Sequence, residues 1–476
     1  MELKYIIFAI TLLAMIPAVA AMLFDKRLIR FAMLVLLVPL LQFNGTAINF
    51  LSMENYHGTS RGMEVSLCYI IAWVVIVVII LRGGFKLHLP TVGGFLFFLY
   101  FMWSVFSMRS AANKTIALFE IWKMIMLFLV YLAVFLYLEY SKGDFDILVI
   151  AIEAFILICF VIVLKQHYID HMHQVKSVFP HQNSLAMFLV LVITIPFSQF
   201  LNRRKEIRSW FSLFIFCCGA VCTLRTYSRG AFITFPIAIL VTFFISLIVQ
   251  FRARKVHRVL MLILIGFLGF MIFLPKIILR FEQAHVNSFL TRKQFVTVAM
   301  NIIRDNKLTG IGINNWSLNL INNREYVRDR NTNERMDLIG IGIVETIYLL
   351  VAAECGIPCL IVLLCWFFYY FFISLKLAFL LRKSKYFFIP AAAAGGLLGI
   401  YIQSCGEWVL KQSMNFIVLM MIFAMLGYLN RHYKQLLEME REENAKQSEK
   451  QKEAEDSVGD QNGIPKMSAP TPTGAD

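Results

Sequence analysis

Thirteen stretches of about twenty apolar residues recur along the chain, and they leave few folds open. They lie near 5–24, 31–50, 63–81, 91–107, 116–139, 146–164, 183–201, 209–224, 231–250, 257–279, 344–373, 387–404 and 414–430. In hydrocarbon every backbone N–H and C=O must be satisfied internally, so apolar runs of this length read as membrane-spanning helices. The expected fold class is an all-α polytopic membrane protein of about 12–13 transmembrane helices. The second window is the weakest, because "QFNGTAINF" dilutes its end. Composition agrees: 59% of residues are hydrophobic and 16% charged, whereas soluble domains sit at about 45–50% and roughly 25%.

Charge orients the chain. "DKRLIR", "RGGFKLH", "NRRKEIR", "FRARKVHR" and "LLRKSKY" fall on alternate connections and are assigned to the cytoplasm. The segments Asn44–Gly62, Ser107–Thr115, Lys165–Gln182, Leu224–Gly230, Arg280–Ile343 and Ser404–Ser413 then fall on the opposite side. The net charge is +15, and residues 431–476 hold 7 basic and 10 acidic residues, leaving +18 for the rest. Loop orientation accounts for that excess, so no nucleic-acid partner is expected. The nine cysteines show no paired spacing and read as small apolar residues. Tyr5–Phe24 lacks a convincing cleavage site and reads as a retained span.

Domain organisation follows: a transmembrane domain over 1–430, a large extracytoplasmic loop at 280–343 within it, and a charged cytoplasmic tail at 431–476 expected to fray into disorder. The loop contains "SFLTRKQFVTVAMNIIRD". Leu290, Phe295, Ala299 and Ile302/Ile303 recur there at helical spacing, and Ser288 or Thr291 is a possible cap. The Gly-punctuated "LTGIGINN" and the polar "NNREYVRDRNTNERMD" follow.

The outward polar residues near the membrane are Asn183, Arg225, Ser228, Arg229, Arg292, Glu345, Tyr348 and Glu407. Charge near bilayer depth is costly and needs a reason. Guanidinium groups match phosphate oxygens bidentately and stay charged, so Arg225 and Arg229 in "RTYSRGA" suit a lipid pyrophosphate. Arginines there would stabilise it as a leaving group, and a nearby carboxylate could accept a proton from an attacking hydroxyl. Gly230 and Ala231 would allow close backbone approach. Each residue also has a plainer reading: interface anchoring for the arginines, helix-dipole placement for Glu345, a solvated charge for Arg292, pairing with Lys411 for Glu407, helix capping for Asn183, and an aromatic belt for Tyr348 and Trp408. "HYIDHMH" offers His167, Asp170, His171 and His173, but the pattern is weak and no metal site is assigned.

"RTYSRGAFITF", then "TRKQFVTVAMNIIRDNKLTGIGINNWSLN", then "VETIYLLVAAECGIPCLIVLL" resemble, in that order, the O-antigen ligase and polymerase family of bacterial membrane glycosyltransferases. The resemblance runs roughly from Asn183 to Asn430. It implies a GT-C-like fold at the inner membrane. It also implies transfer of glycan, at the periplasmic face, from an undecaprenyl-diphosphate carrier to lipid A–core in ligases or to another carrier-linked glycan in polymerases. Neither metal nor nucleotide cofactor is implied. By position Arg225 and Arg229 would contact the diphosphate, and Arg292 matches a basic residue of the loop helix. Glu345 and Thr346 stand where the family usually has His and Asn, so the base is in question; His181 or His285 could serve instead. A carboxylate is the weaker base unless burial raises its pKa. Ligase is favoured narrowly over polymerase. A lipid transporter, or an assembly partner with a degenerate site, is the rival from another class; no internal repeat supports the transporter.

Overall fold

The computed structural model of the 476-residue chain describes residues 3–41, 47–83, 91–203, 206–282, 286–323, 325–328, 336 and 342–461. These residues are overwhelmingly helical, with one two-stranded hairpin, and form an all-α polytopic membrane protein. Among the described residues nine helices are long and apolar enough to cross a bilayer. Two compact units are present, Met1–Arg431 and His432–Asp476. In the second, residues 432–461 are helical.

Burial separates central from peripheral helices in the first unit. The apolar stretch of Gln182–Asn202 is wholly buried, and 83% of that in Lys385–Gln403 is buried, against 22% in Arg229–Val249. The poly-apolar surface of the last faces outward, as expected for a lipid-exposed rim. Small residues let these three segments meet. A Cβ on Gly395 would stand 2.3 Å from the Ala238 carbonyl oxygen, and one on Gly396 2.4 Å from that of Leu191. Close approach of this kind is how helices associate where burial of apolar surface gives no driving force. It fixes the start of the helix at Arg229 beside Gln403 and the start of the helix at Gln182.

The expected second span, 31–50, is not a continuous helix. Lys26–Leu34 is a nine-residue helix, Val38–Leu41 a 3₁₀ turn, and Ala47–Ser52 a strand. Nine residues rise only about 14 Å, far short of a bilayer's ~30 Å core. The strand pairs antiparallel with Gly62–Ser66. The span expected at 344–373 is likewise broken, into Ile347–Cys355 and Ile357–Leu380. Gly356 makes the break at φ 87°, where a Cβ would lie 2.1 Å from the Leu308 carbonyl oxygen. Gly356→Ala should therefore destabilise the protein by more than about 1 kcal/mol. Thermal unfolding in detergent should show a lower Tm than for the wild-type chain.

Segments assigned to one side by charge do gather. Ser317 donates to the His57 carbonyl at 2.6 Å, Thr59 N–H donates to Asn314 Oδ1 at 2.9 Å, and Asn113 N–H donates to Asn315 Oδ1 at 2.9 Å. The basic connections meet at the other end: Arg30 pairs with Asp144 at 2.8 Å, Arg203 with Asp146 at 2.6 Å, and Gln250 donates to the Arg382 carbonyl at 2.9 Å.

Candidate functional site

The loop helix expected from residue 288 spans Val286–Asp305. Ser288 and Thr291 lie inside it and cannot cap it. Its buried stripe is Phe295, Val298, Ala299 and Ile302, whereas Leu290, expected inside, is exposed because the stripe begins a turn later. That stripe packs with Trp316, Val344, Leu350 and Ala353 in one apolar cluster. The packing lays Arg292 over Glu345, which precedes the helix Ile347–Cys355, and the two form an ion pair. A second, longer contact joins Arg292 to Glu407 Oε1 at 3.6 Å.

Glu407 belongs to the short connection between the helices Phe388–Gln403 and the one that begins at Ser413. Asn183 Nδ2 donates to its Oε1 at 2.6 Å. Asn183 therefore does not act as the helix cap: His181 holds that position, its Nδ1 accepting from Asn183 N–H at 3.2 Å. Nor does Glu407 partner Lys411. That ammonium lies 3.4 Å from Glu354 and 3.5 Å from Glu120 instead.

Arg225 ends one helix and Arg229 begins the next. Between them Tyr227 takes φ 50° and stacks on His173 with ring centroids 4.9 Å apart. The left-handed residue reverses the chain and separates the two arginines. Arg229 lines a cavity of about 340 Å³ together with Asn183, Arg292, Glu345, Gln403 and Glu407. Arg225, Ser228 and Tyr348 are not among its lining residues. The Arg225 carbonyl accepts from Val175 N–H at 3.4 Å. Ser228 is the buried N-cap residue of the Arg229 helix, without a side-chain capping bond. Tyr348 donates to the Tyr401 carbonyl at 2.8 Å and braces one helix against another. Gly230 lines the cavity, and a Cβ there would make only ordinary contact with Gln403, at 3.5 Å.

Two guanidinium groups face two carboxyls here. Arg229 sits at a helix N-terminus, whose dipole adds to its positive field. Arg292 Nε and Gln403 Nε2 are buried without a hydrogen-bond partner among the described residues. Buried N–H donors left open are costly unless something accepts from them. Burial pushes the Glu407 carboxyl up to about 7, aided by the neighbouring Glu345 charge and opposed by Arg292, Asn183 and Arg229. Burial also raises Glu345, against the pull of Arg292 and Arg229. A carboxyl that ionises near neutrality can give or take a proton at working pH. Infrared titration should show a protonated carboxyl band that disappears as pH rises through about 7. Glu407→Gln should remove that change.

Sequence reasoning missed Gln403 and named His181 only as a substitute base; both line the cavity. Gln403 is a single amide at the end of an apolar run and His181 one polar residue among several in its connection, both weak signals. His285 lies outside the described residues. Among the described residues no group of three or more His, Cys, Asp or Glu is placed to hold a metal, and His167, Asp170, His171 and His173 form no such group.

A family model described as O-Antigen ligase matches residues 211–364. The matched segment contains Arg225, Arg229, Arg292 and Glu345, and the chain resembles the O-antigen ligase family there. This supports, in the broad sense, a function of the O-antigen ligase or polymerase type. No curated protein matches the chain.

Proposed function

We propose that the chain is a membrane glycosyltransferase that moves a glycan from an undecaprenyl-diphosphate carrier to an acceptor at the periplasmic face of the bacterial inner membrane. The observation that carries this reading is the pairing of Arg229, at a helix N-terminus, with Arg292 in one cavity beside two carboxyls. The carboxylates on Arg292 occupy the place an anionic ligand's oxygens would take. Diphosphate oxygens would replace them and accept from Arg292 Nε and Gln403 Nε2. Guanidinium geometry suits this bidentate exchange.

In the reaction the acceptor hydroxyl oxygen bonds to the anomeric carbon of the donor sugar. The bond from that carbon to the diphosphate oxygen breaks, and the diphosphate leaves on its lipid with the electron pair. Arg229 and Arg292 stabilise the charge it gains. The hydroxyl proton passes to Glu407, whose carboxyl ionises near neutrality. Glu345, at the family's usual His position, holds Arg292 until the diphosphate takes its place and is then the second carboxylate within reach. Arg225 is assigned no direct contact, because it does not line the cavity.

The acceptor proposed is lipid A–core, which makes the enzyme an O-antigen ligase; a polymerase acting on carrier-linked repeats is the other outcome of the test. In a deletion strain complemented with the wild-type chain, mature surface glycan should return. If the deleted strain holds long glycan on the carrier, the enzyme is a ligase. If single repeats reach the acceptor, it is a polymerase. Carrier-linked glycan retained on the cytoplasmic side would indicate a transporter and overturn the reading.

A further inference from the structure

A second cavity, of about 360 Å³, lies outside the segment matched by the family model. Its walls come from the 47–66 hairpin, the helix Lys114–Ser141 and the connection after Glu407. The two cavities share neighbours in the chain: Pro180 and Trp408 line the second, and His181 and Glu407 line the first. The wall of the second cavity is thus one residue along the chain from Glu407, the carboxyl that would take the proton.

The hairpin presents one face to this space. Alternate residues of a strand point to opposite sides. Asn49 and Glu64 are directly opposed across the ladder and line the cavity, as do Ala47 and Ser66. Ile48, between them, is buried on the other side with Phe8 and Ile70. Trp122 ties the hairpin down by donating from its indole N–H to the Glu64 carbonyl at 3.0 Å, and it too lines the cavity. The lining thus joins two tryptophans, Trp122 and Trp408, to amide, hydroxyl, carboxyl and cationic groups. Flat aromatic faces beside hydrogen-bonding groups on a wet surface suit polyhydroxylated rings, with one apolar face and a polar rim. Ser66 and Gln412 line the cavity, and their side-chain oxygens, Ser66 Oγ and Gln412 Oε1, are buried without a hydrogen-bond partner among the described residues. Such atoms call for a ligand's hydroxyls or for water.

We infer that this second cavity holds the acceptor's sugar, so that donor contacts lie in the family segment and acceptor contacts in the hairpin and the 408–414 connection. The assignment to an acceptor rests on the transfer reading above; the assignment to a glycan does not.

Hydrogen exchange on the full-length protein in nanodiscs tests it with two probes. One is undecaprenyl diphosphate. The other is lipid-free oligosaccharide, either lipopolysaccharide core or a short repeat unit. The oligosaccharide should protect 47–66 and 408–414, and Arg61→Ala and Gln412→Ala should each weaken its affinity about tenfold, a loss of about 1.4 kcal/mol. Undecaprenyl diphosphate should protect 229–234 and bind these two variants as it binds wild type. Oligosaccharide that leaves the hairpin unprotected, or that binds both variants like wild type, overturns the inference. So does protection of the hairpin by undecaprenyl diphosphate, which would make the cavity a lipid site. Failure of undecaprenyl diphosphate to protect 229–234, with the hairpin still protected by sugar, sinks the transfer reading and leaves the glycan site standing.

Discussion

Arg229→Ala should lower glycan transfer by about a hundred- to a thousandfold, the loss seen when one preorganised donor is removed from a developing anion. The argument rests on position. Arg229 opens its helix, lines the cavity, and bears electrostatically on both carboxyls. Its removal would leave the departing diphosphate one guanidinium short. Arg225→Ala should cost much less, because Arg225 stands outside the cavity wall across the left-handed turn at Tyr227. Initial rates at matched protein, with folding checked by thermal unfolding, separate the two. Equal losses in both variants would mean that the turn, rather than Arg229, carries the effect.

Lys411→Met should destabilise the protein by about 3–5 kcal/mol, the range for breaking a buried ion pair by removing one partner. Four charges meet in the interior. Lys123 lies 2.6 Å from Glu120, and Lys411 bridges Glu120 and Glu354. Glu120 also accepts from Thr59 and Ser60 at 2.8 and 2.7 Å. All four are nearly or fully buried. Without Lys411 the carboxylate of Glu354 is left uncompensated, with Trp316 N–H at 3.3 Å on its other oxygen. Adding Glu354→Gln to Lys411→Met should restore part of the loss, since Glu120 and Lys123 still neutralise each other. Unfolding midpoints of the single and double variants form the comparison. A double variant no more stable than the single would show that the pairing is not what holds this region.

The same quartet marks where the sequence was hard to read. Glu120 and Lys123 lie within an apolar window, one helical turn apart, and only their partners on two distant segments reveal why they are tolerated there. Long apolar runs were legible because the bilayer imposes a single solution on each of them. The hairpin was not. The residues of "AINFLS" continue an apolar run that had already started at 31, and its pairing strand begins ten residues after it ends. The break at Gly356 was hidden because a positive φ leaves no trace in hydropathy. Of the site, Asn183, Arg229, Glu345 and Glu407 were legible as polar residues near span ends on one side, and Arg292 as a basic residue of the loop helix on that side. Their convergence depends on the loop helix packing back over residues 344–353, a long-range contact that spacing alone does not encode. Arg225 looked equivalent to Arg229 in the sequence and is not, because the turn between them points them into different surroundings.

The most direct test is transfer by the purified chain in nanodiscs, supplied with undecaprenyl-diphosphate-linked glycan and lipid A–core. The two products are quantified together. Glycan on the acceptor and free undecaprenyl diphosphate should appear in equal amounts, and both should fall together in Arg229→Ala. Acceptor left unmodified, with donor intact, by folded wild-type protein would contradict the account.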